Sequence, residues 1–476
     1  MVQVSMLWMP LWAYLMIYGL IIFFFLELIL AYSCINRVTL VKADKPIEFS
    51  SSSDDGKAEK FTLIDLISES VPEFKDGALS LFNPFLINGH AHTMFAGIRK
   101  FSRSDKLYFG REIVKFSDGG SASLDRIISY DSYKDVTLTE EDTPKGQTSN
   151  ISQNTRYLTR SELSTQASND TKPMIIALHG LSGSSAEAYV RCLFSRLHGQ
   201  HEFECFVLNS RGCGQTRSST PQSFNGYWTD DFRFALKHLH QLFPNRPIYA
   251  VGFSLGGSIL ANYLGQYGDD SLLKLGCVIA NPWDLVHSSF CFENDFISSK
   301  LYSPIMTVPL KQLLITHFEQ LKENPIFMEA YESGSYDKVY KLKDFDDYFT
   351  SKLFGFNCAA EYYRNGSSLN RIFNIRTPTL IINSLDDPIV GGSDIAVPIK
   401  ETTLHPYLTS VSTSLGGHLG WFKWDNTRWY ADPLSKLISE FHDKVGSKDN
   451  VEIVVEEKNL PLVNKVVNGR LVGPFI

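Results

Sequence analysis

The sequence predicts an α/β fold: a mostly parallel central sheet flanked by helices, carrying a helical cap and preceded by an N-terminal transmembrane helix. Two observations predict the sheet. Short β-branched or apolar runs at Met174–Leu178, Phe203–Leu208, Ile248–Val251, Gly276–Ala280 and Thr379–Ile382 alternate with helical segments, the spacing of parallel strands joined by crossover helices. Several of these runs end in small or polar residues, where a parallel sheet presents its strand ends. The third observation is the start of the chain, where the twenty-two residues from Leu11 to Tyr32 carry one charge, Glu27. A helix of that length reaches about 33 Å, enough to cross a bilayer.

Composition bounds the classes. With 476 residues, 43% of them hydrophobic, the chain can bury one large core with additions. A net charge of -7 without a basic stripe gives no reason to expect nucleic acid as a partner. Seven cysteines without C-x-x-C pairs read as reduced buried thiols rather than a disulfide or zinc framework. His90-x-His92 has no acidic or cysteine ligand placed nearby, so neither a metal nor a cofactor is expected.

The most informative segment is Gly252-Phe253-Ser254-Leu255-Gly256, set between the run Ile248–Val251 and the helical stretch Ser258–Leu264. A serine on a sharp strand-to-helix turn projects clear of its own backbone, and the glycines leave room for that turn. The helix N-terminus behind it favours negative charge at the reacting centre. Ser254 is therefore the expected nucleophile. Downstream, Thr379–Ile382 leads to Asn383-Ser384-Leu385-Asp386-Asp387-Pro388, which puts a carboxylate past the end of a buried strand. Either aspartate could orient a base. Asp386 is the expected one, standing third after Asn383, while Asp387 reads as the turn residue before Pro388.

Among twelve histidines, His418 lies C-terminal to both groups in the glycine-rich Gly416-Gly417-His418-Leu419-Gly420, and is the expected base. His238 and His240 fall in a helical stretch, and His198, His201, His405 and His442 lack a comparable setting. The order Ser, Asp, His is that of a serine acyl-transfer site. Upstream, Met174–Leu178 runs into His179-Gly180-Leu181-Ser182-Gly183, whose backbone N–H groups can meet an oxyanion. The expected oxyanion hole is the amides of Leu255 and Leu181. A phosphate-binding reading of that loop fails because the P-loop lysine is missing.

The expected organisation is a membrane anchor over 1–45, a linker with an amphipathic segment over 46–80, the catalytic domain over 81–446 and a tail over 447–476. Within the domain, a helical cap occupies about 284–376, where Phe290, Phe292, Phe296, Ile297, Ile305 and Met306 are candidates to line an acyl channel. The polar stretch 137–171 is expected to be a mobile loop. Arg37, Lys42 and Lys45 follow the span and no Lys or Arg precedes it, so the body is expected on the cytoplasmic side. Glycan acceptor tripeptides at Asn150, Asn169 and Asn365 point weakly the other way.

Taken together, Asn88-Gly89-His90-x-x-Thr93, His179-Gly180-Leu181-x-Gly183-Ser184, Asn209-x-Arg211-Gly212-Cys213-Gly214, Gly252-Phe253-Ser254-Leu255-Gly256-Gly257, Asn281-Pro282-Trp283-Asp284 and Gly417-His418-x-Gly420 resemble a known set. They look like the membrane-anchored α/β-hydrolase-domain lipases and their fungal relatives, the medium-chain ester synthase/esterases and monoacylglycerol lipases. The match covers about 82–442, with Ala91-His92 where Leu-Gln is usual. The resemblance implies Ser254, Asp386 and His418 as the triad and a lipid ester as substrate. Hydrolysis of monoacylglycerols or medium-chain esters is expected first, because water is always present and excluding it requires a specialised acceptor site. The alternatives are acyl transfer from acyl-CoA to ethanol, phospholipase action and, remotely, a non-catalytic membrane-tethered scaffold. The implied partners are a membrane bilayer at the endoplasmic reticulum or a lipid droplet, with acyl-CoA and an alcohol for the transfer reaction.

Overall fold

The computed structural model describes residues 14, 16–20, 34–52, 58–99, 101, 104–392, 396–456, 459–461, 465–467 and 470–472. The strands follow in the order β1 (Ile35–Lys42), β2 (Glu48–Ser52), β3 (Ala58–Phe61), β4 (Leu79–Leu81), β5 (Tyr108–Lys115), β6 (Ser121–Ile128), β7 (Thr155–Tyr157), β8 (Met174–Leu178), β9 (Glu204–Asn209), β10 (Ile248–Phe253), β11 (Leu273–Ile279), β12 (Thr379–Ser384), β13 (Leu408–Thr413) and β14 (Val451–Val454). Eleven of them form one sheet in the order β4-β1-β13-β12-β11-β10-β8-β9-β6-β5-β7.

The six central strands, β13-β12-β11-β10-β8-β9, are parallel throughout. Helices on both faces bury them, so β8, β10 and β12 are buried at every residue, which is why they read as continuous apolar runs rather than alternating ones. The chain leaves β8 for β9 on one side, then crosses to β10 on the other. That reversal opens a crevice at the carboxyl ends of β8 and β10, the place where ligands meet open parallel sheets. Between β11 and β12 the chain is helical, from Leu285–Asn294 and Ser303–Thr316 through Ala359–Gly366, with its own apolar cluster around Phe327, Phe345 and Phe349.

The periphery holds more regular structure than the sequence suggests. The stretches expected as anchor and linker hold sheet structure: β1 pairs antiparallel with β13 from Val38 to Lys42, and β4 pairs with β1. Their alternation carries a buried asparagine, Asn36, on the inward face beside Val38, which hides the strand from a reading based on apolar period. The helix Leu63–Ser70 is closed by a capping box between Thr62 and Asp65 and buries Leu63, Leu66 and Ile67. The stretch 137–171 contains β7, parallel to β5, and the helix Arg160–Thr165, held by the Arg156–Glu162 ion pair. Its polar composition concealed an edge strand, whose pairing needs only backbone groups. The tail returns to the body through β14, antiparallel to β2.

The span expected over 11–32 lies outside the described residues except for Tyr14 and 16–20, which are helical and exposed. Among the described residues no helix is long and apolar enough to cross a membrane.

Candidate active site

Ser254 sits between β10 and the helix Leu255–Tyr267 with φ 53° and ψ -119°, a conformation that costs energy for any residue with a Cβ. Its neighbours explain how the turn is accommodated. A Cβ on Gly252 would overlap the Gly256 carbonyl, and one on Gly256 would overlap the Leu178 carbonyl. The Ser254 N–H donates to the Ile279 carbonyl at 2.9 Å, tying the turn to β11. The hydroxyl meets His418 Nε2 at 2.8 Å.

His418 lies on the loop after β13. Gly417 precedes it at φ 58°, and a Cβ there would overlap the Gly89 carbonyl, so the loop can approach the helix Gly89–Ile98 only with glycine at this position. The His418 N–H donates to Thr93 Oγ1 at 2.9 Å, and that hydroxyl donates to the Gly89 carbonyl at 2.6 Å. Asn88 caps the same helix by accepting from the Ala91 N–H. The segment Asn88-Gly89-His90-x-x-Thr93 thus acts as a seat for the histidine loop.

The imidazole's other nitrogen corrects the choice between the aspartates. Asp387 Oδ2 lies 2.7 Å from His418 Nδ1, and its Oδ1 accepts the N–H groups of Ile389 and Val390 at 2.8 and 3.1 Å. Asp387 is fully buried. Asp386, the residue expected in this role, accepts from Ser384 Oγ at 2.6 Å and from the Gly417 N–H at 2.9 Å instead. Burial raises its pKa above the ordinary carboxylate value. The difference lies in the turn: successive side chains leave β12 in different directions, and counting from Asn383 does not say which faces the histidine.

The oxyanion side is built by the loop after β8. Gly180 approaches Ser254 so closely that a Cβ on it would sit 3.4 Å from the serine Cβ. The Gly180 N–H is taken by the Tyr189 hydroxyl at 2.9 Å. Leu181 follows it, and Leu255 opens the helix after the nucleophile, where an N–H has no intrahelical carbonyl to reach. Neither amide has a hydrogen-bond partner among the described residues, and both residues line a cavity with Ser254. His179 braces this loop, donating from Nδ1 to the Gly180 carbonyl at 2.7 Å and accepting the Ser210 N–H on Nε2 at 3.0 Å. Burial lowers its pKa to about 4, so it is neutral. Beneath lies a buried network that the sequence did not reveal. Arg111 bonds Asp125 through two nitrogens at 2.7 Å, and Asp125 also accepts from Ser185 and Asn209.

Two cavities meet at Ser254. One, of about 150 Å³, runs under the cap among Leu255, Leu285, Phe292, Met306, Leu310 and Phe345. The other, of about 910 Å³, contains His418, Tyr189, Glu187 and Arg428. Of the residues expected along an acyl channel, Phe292 lines the first, Ile305 the second and Met306 both, whereas Phe290, Phe296 and Ile297 face outward. His90 does not reach toward His92: it contacts the Tyr302 hydroxyl at 3.1 Å, while His92 accepts the Phe422 N–H. No metal-holding cluster occurs among the described residues.

The sequence profile of the alpha/beta hydrolase fold family matches residues 173–422. The chain belongs to the α/β-hydrolase family. Among its relatives within that family is a protein of Saccharomyces cerevisiae named monoacylglycerol lipase, 36% identical over 86% of this chain and 92% of its own length. The medium-chain fatty acid ethyl ester synthase/esterase 2 of the same yeast is 34% identical over 81% of this chain and 91% of its own. The human phospholipase ABHD3 is 28% identical over 69% and 71%. This α/β-hydrolase therefore aligns with these proteins well beyond the matched 173–422 segment.

Proposed function

We propose that this protein is a serine ester hydrolase acting on fatty acyl esters, monoacylglycerols foremost, through an acyl-enzyme. The observation that carries the reading is the continuous chain Ser254 Oγ, His418 Nε2, His418 Nδ1, Asp387 Oδ2, with spacings of 2.8 and 2.7 Å, opening on an apolar cavity under the cap. Ser254 attacks the ester carbonyl as His418 takes its proton. The amides of Leu255 and Leu181 receive the oxyanion, and Asp387 holds the imidazole tautomer and stabilises its charged form. The intermediate collapses as His418 returns the proton to the departing alcohol oxygen. Water, activated by the same histidine, then releases the fatty acid.

The same acyl-enzyme makes an ester if an alcohol replaces water. The relative named as an ethyl ester synthase/esterase supports keeping acyl-CoA plus ethanol as the second reaction to test. Residues 11–32 serve as a membrane span that holds the catalytic body at the cytoplasmic face, as their apolar length and the following Arg37, Lys42 and Lys45 support. The test is purified full-length protein incubated with monoacylglycerols, ethyl esters, lysophospholipids and acyl-CoA plus ethanol, with products identified by mass spectrometry. Release of fatty acid that vanishes in Ser254→Ala is expected. Turnover of none of these by a protein that labels with a fluorophosphonate probe would overturn the substrate class, and failure to label would overturn the nucleophile.

A further inference from the structure

The two cavities at Ser254 differ in one respect that assigns their occupants. In the second half of the acylation step, His418 must hand a proton to the alcohol oxygen as the ester bond breaks. The alcohol therefore has to depart on the side of the imidazole. His418 lines the larger cavity and is not among the residues of the smaller one, whereas the smaller is enclosed by Phe292, Leu310 and Phe345 of the cap, and Leu301, Ile305 and Pro309 border the larger. The acyl chain belongs in the smaller cavity and the alcohol in the larger.

The larger cavity is not uniformly apolar. Glu187 stands in its wall immediately beside the oxyanion loop: a Cβ on Gly183 would lie 3.1 Å from the Glu187 Cγ. Its carboxylate has no hydrogen-bond or ion-pair partner among the described residues, although three arginines serve this region. Arg191 is spent on the backbone carbonyls of Ala186, Phe101, Ser104 and Asp105. Arg196 pairs with Asp105 and Asp432. Arg428 donates from Nε to the Leu419 carbonyl at 2.9 Å and lies over the rings of Phe101 and Phe422, with its centre 5.2 and 4.9 Å away. It lines the same cavity as Glu187 without forming an ion pair with it.

Local structure does not account for the carboxylate. Glu187 occupies the N-cap position of the helix Ala188–His201, yet its side chain makes no capping bond. Burial raises its pKa, with Arg428 and Arg191 opposing that rise. A half-buried carboxylate without a partner is costly, and a ligand hydroxyl that donates to it removes the cost.

We infer that Glu187 and Arg428 form the alcohol-side recognition site of this enzyme, with Glu187 accepting a hydroxyl of the glyceryl group of a monoacylglycerol and the Arg428 guanidinium donating to another. This rests on the ester-hydrolase reading and deepens it by naming the residues that select a polyhydroxy alcohol as the leaving group. A neutral diol bonds to both groups. A phosphate-bearing head group would place its anion beside the unpaired carboxylate, and an ethyl group would leave both charges without partners.

The test compares full-length wild type with Glu187→Gln, which keeps the side chain's shape against Gly183, on three esters of decanoic acid: 1-decanoylglycerol, ethyl decanoate and decanoyl-lysophosphocholine. A hydrogen bond to a charged group corresponds to about tenfold or more in binding. The expected result is that kcat/KM for the glyceryl ester falls about tenfold further than for the ethyl ester, chiefly through KM, with Glu187→Asp restoring part of the difference. Equal losses on all three esters would show that Glu187 only supports the oxyanion loop and would overturn the assignment. A selective loss on the lysophosphocholine ester would overturn it in favour of a head-group cation. If wild type hydrolyses none of the three, the ester-hydrolase reading fails and takes this inference with it. If wild type hydrolyses the glyceryl ester and the ratio does not move, the inference alone fails.

Discussion

Thr93 and His418 stand 325 residues apart in the chain, and the threonine Oγ1 accepts the histidine's backbone N–H at 2.9 Å. Because the hydroxyl also donates to the Gly89 carbonyl, one side chain ties the histidine loop to the start of a helix on another part of the chain. Thr93 touches no reacting atom and acts by positioning. Thr93→Val, which keeps the shape and removes the acceptor, is expected to lower kcat by about tenfold with little change in KM, the size of one backbone hydrogen bond at a buried site. Thr93→Ser should recover most of the rate. A Thr93→Val enzyme with unaltered kcat would show that the glycine contacts alone hold the loop.

The two neighbouring aspartates make a direct comparison. Asp387 contacts His418 Nδ1, so Asp387→Asn should leave the fold intact and lower kcat by about 10⁴, the cost of the corresponding change in trypsin. Asp386→Asn retains the oxygen that meets Gly417 and Ser384, and a far smaller loss is expected. Steady-state rates on folded, probe-reactive proteins check the ranking, and its reversal would return the orienting role to Asp386.

The N-terminal boundary follows from β1. Removing residues 1–33 takes away the apolar segment and stops before Cys34, which is buried, and before the strand that pairs with β13. That truncation is expected to leave membranes for the soluble fraction with its melting temperature and its hydrolysis of a short soluble ester nearly intact. Removing residues 1–45 also deletes β1, stripping β13 of a partner from Val38 to Lys42 and β4 of the strand it pairs with among the described residues. Aggregation or a melting temperature lowered by several degrees is expected for it. Equal stability of the two truncations would contradict the structural role of β1.

Acid sensitivity follows from buried histidines. Burial lowers the pKa of His92 and His179 to about 4 and that of His405 to about 3, so each stays neutral in the folded chain and takes up a proton on unfolding below the ordinary value of 6.5. Their stabilisation is present above pH 6.5 and is lost as pH falls toward 4. Asp346 works in the opposite sense, since burial raises its pKa to about 6 and its contribution fades as pH rises through that value. Three groups outweigh one, so near pH 5 unfolding is expected to take up about two protons net from this set. Denaturant melts between pH 7 and pH 4.5 should show stability falling on acidification; a flat profile would mean that these histidines are not held neutral.

How much the sequence determined depended on whether a feature is local. The elbow at Gly252–Gly256 is a matter of adjacent residues, because the glycines, the strand before and the helix after are all consecutive, so Ser254 was legible at once. Five of the six central parallel strands were legible for a similar reason, since burial on both faces writes itself as an apolar run, whereas β13, equally buried, carries Thr409, Ser410, Ser412 and Thr413 and shows no such run. The His418 assignment used chain order and flanking glycines, both visible in one dimension. The choice between Asp386 and Asp387 was not, since both follow β12 and only the direction of the side chains across the turn decides which meets the imidazole. The strand β1 escaped because the buried Asn36 beside Val38 breaks its apolar alternation, and β7 escaped because edge pairing is carried by backbone groups that every residue has. The cavities, the unpartnered carboxylate of Glu187 and the seat that Thr93 provides exist only where segments hundreds of residues apart are packed together, so tertiary structure alone determined them.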